Sequence, residues 1–121
     1  MSILAIAAAI AFAGQASSAT VDVARDELLA GRNAAAIATI GANEELDDSD
    51  PARLINLGVA HARQGESDRA RQFFKAAMKI DDAIYLETAD GDWIEARRLA
   101  ARALAMLERG DFAASALVAS R

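Results

Sequence analysis

A chain of 121 residues with a formal net charge of −5 and a pI near 4.8 has room for one domain with a modest core, and it lacks the basic footprint of a non-specific nucleic-acid binder. It contains no cysteine, which excludes disulfides, thiolate catalysis and cysteine-type zinc sites. Its hydrophobic share of 54% leans on alanine and only 5% is aromatic, so closely packed helices are expected over a sheet sandwich.

The charge is uneven. Residues 1–60 carry three Arg against eight Asp and Glu, while residues 61–121 carry ten basic and ten acidic side chains. Met1–Ala19 reads as a secretory signal: Ile3–Ala13 is an uncharged apolar run too short to span a bilayer, and Ser17-Ser18-Ala19 offers small residues for cleavage before Thr20. No Lys or Arg precedes the run, so the competing reading is a first helix of the mature fold. No cysteine follows it, so no lipoprotein anchor is expected, nor any stable membrane anchor after cleavage.

One domain is expected over residues 20–121, with helical hairpins at about 20–43, 51–81 and 92–120. In the first, Val21, Ala24 and Leu28 form one apolar stripe and Ala35, Ala36, Ile37 and Ile40 a second, with Gly31 between them. Glu44–Asp50 is an acidic linker. It lacks the regular spacing, central glycine and distant glutamate of an EF-hand, and is read as a solvated loop.

Asp50-Pro51 is a helix start: the carboxylate can cap free N–H groups, and proline fits the first turn. The helix is predicted to run to about Arg63. Leu54, Leu57, Gly58 and His61 share one stripe, and Ile55, Asn56, Val59 and Arg63 the adjoining face. After a turn at Gln64-Gly65-Glu66, Ser67 can cap a second helix presenting Ala70, Phe73, Phe74, Ala77, Met78 and Ile80. Gly58 costs about 1 kcal/mol in helix propensity. Close approach of the second helix near Ala70 is the expected reason, with Phe74 filling the space beyond.

A shift of 34 residues superposes Gly31 on Gly65, Ala36 on Ala70 and Ile40 on Phe74. Here the chain resembles the tetratricopeptide repeat family, in Leu54, Leu57-Gly58, His61, Gly65 and Ala70…Phe74…Ala77. The resemblance is specific over Pro51–Ile84 and degenerate over Ser17–Asp50. It implies an all-α fold, a short right-handed solenoid of about three hairpins.

Beyond Asp82 the period breaks, since Leu99 stands where the next turn glycine would fall. Ala83–Gly91 reads as extended, with β-formers Ile84, Tyr85 and Thr88 and a closing Asp-Gly turn. A long helix is predicted over Asp92–Arg109, started by Asp92 and Glu95 as a capping box. Its buried stripe would be Trp93, Ala96, Leu99, Ala100, Ala103 and Leu107. Gly110-Asp111 then leads to a last helix, Phe112–Ser120.

No catalytic, cofactor-binding or metal-ligating set is found. His61 is the one histidine and is read as a packing residue, Asp90 and Asp92 as a turn and a cap, and the seven glycines as turn markers without a phosphate loop. Arg98, Arg102 and Arg109 form a basic stripe that reads as a solvated face or as a contact for an acidic partner. The resemblance implies a groove that takes a protein or peptide, lined by Arg25, Asn56, Val59 and Arg63. Asn56 matches the asparagine of the subgroup that clamps a C-terminal carboxylate, without that subgroup's lysines. The function expected is a non-catalytic exported adaptor without cofactors. A docking subunit of a larger envelope complex and a self-associating module are the alternatives. Eleven of the thirteen basic residues are Arg, which with the alanine content suggests a GC-rich bacterial genome and favours the periplasm.

Overall fold

The computed structural model describes residues 23–88 and 90–114. The expected signal segment, Val21 and the last helix beyond Ala114 lie outside these residues. The described chain forms α1 (Arg25–Leu29), α2 (Asn33–Ala42), α3 (Pro51–Arg63), α4 (Ser67–Met78), β1 (Tyr85–Glu87), β2 (Trp93–Glu95), α5 (Ala96–Glu108) and α6 (Asp111–Ala114). The helices pair in sequence order, giving the expected all-α, repeat-like arrangement with one small antiparallel hairpin inserted.

Local chemistry sets the helix ends. The Asp50 carboxylate accepts the Arg53 N–H at 3.0 Å, with Pro51 in the first turn. At the far end of α3, the Gly65 N–H donates to the Ala62 carbonyl at 3.0 Å and the Glu66 N–H to the His61 carbonyl at 2.9 Å. That pattern needs a left-handed residue, and Gly65 supplies it with φ +82°. Gly31 closes α1 in the same way, its own N–H donating to Leu28 and that of Arg32 to Glu27. The 34-residue offset therefore holds at the level of backbone hydrogen bonds. Ser67, expected as a cap, is instead the first helical residue of α4; Glu66 stands at the cap position without a side-chain cap bond, its carboxylate lying against His61.

The core is centred on α3, which is buried along most of its length and touches α2, α4, α5 and α6. Phe74 of α4 is fully buried, and its ring lies directly on Gly58. A Cβ built on Gly58 would stand 2.7 Å from Phe74 Cδ1, inside van der Waals contact. The close approach expected at Gly58 is therefore present, but its partner is the Phe74 ring and not the backbone near Ala70. Phe112 of α6 stacks on Phe74, 6.0 Å between centroids. Ala70 and Ala77 are fully buried beside them. In α2, Ala36 and Ile40 are buried and Ile37 half-buried, whereas Ala35 is exposed and drops out of the expected face.

The third pair departs from expectation at its start. Trp93–Glu95 is a strand, so α5 begins at Ala96. It pairs with β1 in the register Tyr85↔Glu95, Leu86↔Ile94 and Glu87↔Trp93. Asp92 offers its carbonyl to the Thr88 N–H at 2.9 Å across the hairpin, and Gly91 turns the chain at φ +88°. Two adjacent β-formers, Trp93 and Ile94, thus pair with the extended segment before them and do not prolong the helix. Trp93 is 52% exposed and is not part of the buried stripe, which consists of Ala96, Leu99, Ala100, Ala103 and Leu107.

Across the α4–α5 contact, the Arg71 Nε donates to Glu108 Oε2 at 3.0 Å, and Asp68 takes another guanidinium N–H at 2.9 Å. The Arg71 hydrogen bond and charge lower the pKa of Glu108.

Two outcomes follow from this packing. Gly58→Leu is expected to lower the unfolding free energy by about 1–3 kcal/mol through overpacking against Phe74; an unchanged urea midpoint would refute the contact. For Glu108 the folded pKa is depressed, so its stabilising effect is present above the ordinary carboxylate range and is lost as pH falls through the folded value. The thermal midpoint of the wild type should exceed that of Glu108→Gln at neutral pH, and the gap should close on acidification.

Candidate partner-binding surface

The four residues expected to line a groove do not share one exposed surface. Arg25, at the start of α1, is exposed. Asn56 and Val59, in the middle of α3, have no exposed surface at all. Arg63, in the last turn of α3, is half-buried. Of these four, only the two arginines can be reached from solvent.

The inward residues have structural partners. Asn56 Nδ2 donates to the Val23 carbonyl at 2.9 Å, so the asparagine expected to face a ligand faces the backbone just before α1. Its Oδ1 is buried with no hydrogen-bond partner among the described residues. Arg63 Nη1 donates to the Leu28 carbonyl at 2.8 Å and to Asn33 Oδ1 at 3.2 Å. It thus binds the end of α1 and the start of α2 from the last turn of α3. Burial pushes the Arg63 pKa down, and the guanidinium keeps its charge because its ordinary value is so high. Two polar side chains of α3 therefore join the first helical pair to the second.

His61 is engaged on two sides. Its ring stacks on Phe73 at 5.4 Å between centroids and 15° between planes. Its Nδ1 lies 2.5 Å from Glu66 Oε1. The arrangement ties the α3–α4 turn to the helix before it and accounts for a histidine that is 6% exposed. In the acidic linker, Asn43 Oδ1 accepts the Glu45 N–H, Asp47 accepts the Ser49 N–H, and Asp50 caps α3. Among the described residues no group of three or more His, Cys, Asp or Glu is placed to hold a metal ion, and no helix is long and apolar enough to cross a membrane.

The eight signature positions of the resemblance do come together. Leu54, Leu57, Ala70, Phe74 and Ala77 are buried in one core cluster, His61 is buried against Phe73, Gly58 faces the Phe74 ring, and Gly65 makes the turn. Residues 52–80 match the family model of the tetratricopeptide repeat. The match takes in α3 from its second residue and the whole of α4. Neither the curated proteins nor the solved structures gave a match. The tetratricopeptide repeat is a protein–protein interaction module and is generally non-catalytic.

One surface was missed by the sequence reading. Tyr85 and Trp93 of the hairpin are both more than half exposed. The β-formers Ile84, Tyr85 and Thr88 on one side of an Asp-Gly turn, with Trp93 and Ile94 on the other, carried the signal of a hairpin. The helical stripe assigned to Trp93 concealed it.

Replacing Arg63 with alanine removes two charge-assisted hydrogen bonds between the helical pairs. The unfolding free energy is expected to fall by about 1–3 kcal/mol. An unchanged urea midpoint would show that Arg63 does not fasten the first pair to the second.

Proposed function

We propose that this chain is a non-catalytic adaptor that holds a protein or peptide partner outside the cytoplasm. The observation that carries the adaptor reading is the tetratricopeptide match over residues 52–80, on a helical pair whose signature residues pack together. Export rests on the apolar run Ile3–Ala13 followed by Ser17-Ser18-Ala19. A partner would meet the first helical pair at Arg25, with Arg63 at its inner edge.

Self-association has one observation in its favour. Arg98 and Arg102 of α5 are exposed, and so are Glu44, Glu45, Asp47 and Asp48 in the linker between the first two pairs. A second copy could bring those surfaces together.

Crosslinking in the native host tests both halves of the proposal. One recurrent protein should be captured on a chain that begins at Thr20, and Arg25→Glu should reduce its yield. Arg25 is the better probe because Arg63 also supports the fold. Failure to recover a recurrent protein would overturn the adaptor reading, and a captured chain that still begins at Met1 would overturn export.

A further inference from the structure

The hairpin holds Tyr85 and Trp93, two of the three large apolar side chains that stand exposed among the described residues. The register sets Tyr85 opposite Glu95 and Glu87 opposite Trp93, and residues paired across a hairpin project to the same side. All four side chains therefore share one face. Leu86 and Ile94 point the other way and pack on the core. Two aromatic side chains held on a two-stranded support form an apolar patch that stands exposed among the described residues.

Charge identifies the occupant. Between Lys79 and Arg97 the chain has no basic residue, while Asp81, Asp82, Glu87, Asp90, Asp92 and Glu95 are acidic. Arg97 holds Glu95 at 2.7 Å and also feels the charge of Asp81. Asp82, Glu87, Asp90 and Asp92 are exposed and make no ion pair among the described residues. Aromatic faces and carboxylates attract the same kind of group, a guanidinium or an ammonium.

The backbone adds a second complementarity. The Ala96 N–H donates to the Ile84 carbonyl at 2.7 Å, and the Thr88 N–H to the Asp92 carbonyl. Bonding across the hairpin thus falls to residues 84, 86 and 88 of the first arm. Tyr85 and Glu87 turn their N–H and C=O groups outward, as an edge strand does. An extended segment can pair there by strand addition.

We propose that this face docks an extended basic segment of a protein partner, with Arg or Lys side chains laid over Tyr85 and Trp93 and against Glu87. The inference rests on the reading of the chain as a protein-interaction module, but uses a surface separate from Arg25 and Arg63.

Trp93 is the single tryptophan, so its fluorescence reports on this face alone. The full chain is titrated with a synthetic peptide of alternating Arg and Val, and with a Glu–Val peptide as control. A saturable change in Trp93 emission is expected with the basic peptide only, weakening as salt is raised. Glu87→Lys and Tyr85→Ser should each raise the apparent Kd roughly tenfold, with helical circular dichroism unchanged. No saturable change, or equal changes from both peptides, would overturn the proposal. So would an emission change produced by raising the protein concentration alone, which would make a second copy the occupant. A chain that captures its partner through Arg25 yet gives no titration would retain the adaptor role and lose this docking face.

Discussion

The contact between the Phe74 ring and the bare backbone of Gly58 sets the distance between α3 and α4, and the remaining helices are placed from that pair. An aromatic ring contributes a large buried area only where the facing helix leaves room for it. Glycine provides that room at a cost of about 1 kcal/mol in helix propensity, against about 1.5–3 kcal/mol for burying a side chain as large as phenylalanine. The exchange favours the folded pair. Phe112 then lies against Phe74 from α6, so the same ring joins the second helical pair to the third.

The position of α3 has a consequence for its polar residues. A helix surrounded by neighbours cannot offer its side chains to solvent, and a buried amide or guanidinium costs free energy unless it finds partners. The Asn56 amide nitrogen and the Arg63 guanidinium find theirs in the carbonyls of Val23 and Leu28, on the pair that precedes them, while Asn56 Oδ1 has none among the described residues. Residues that would read a ligand on an open solenoid here fasten successive units together. The solvent-facing chemistry of the chain moves to its edges, to the end of α1 and to the hairpin ahead of α5.

Much of the fold was legible in the sequence because local signals and burial agreed. Asp50-Pro51, the turn glycines at 31 and 65, and the small-large alternation of Gly58, Ala70, Phe74 and Ala77 each have a physical cause that acts over a few residues. The groove was less legible. Helical periodicity places Asn56 and Val59 on one face but does not say what lies against it, and that depends on how the first pair docks. The start of α5 was misread for a different reason. Asp92 and Glu95 have the spacing of a capping box, but the local preference of Trp93 and Ile94 for extended backbone is satisfied by pairing with Leu86 and its neighbours. Tertiary pairing overrode a local helix signal.

The hairpin also bears on how an array of this kind changes length. α3 and α5 each run 13 residues and are each followed by one cap residue and a left-handed glycine, Gly65 and Gly110, so these two helices keep the same proportions. The connection between units does not: it covers residues 43–50 in one case and 79–95 in the other. The loop-closure entropy of that extension is only about 0.7 kcal/mol. Burial of Leu86 against the core contributes about 1.5–3 kcal/mol in the other direction. The junction between units is therefore a site where sequence can be inserted and diversified with little thermodynamic penalty, while the caps and the core that define the helices stay fixed.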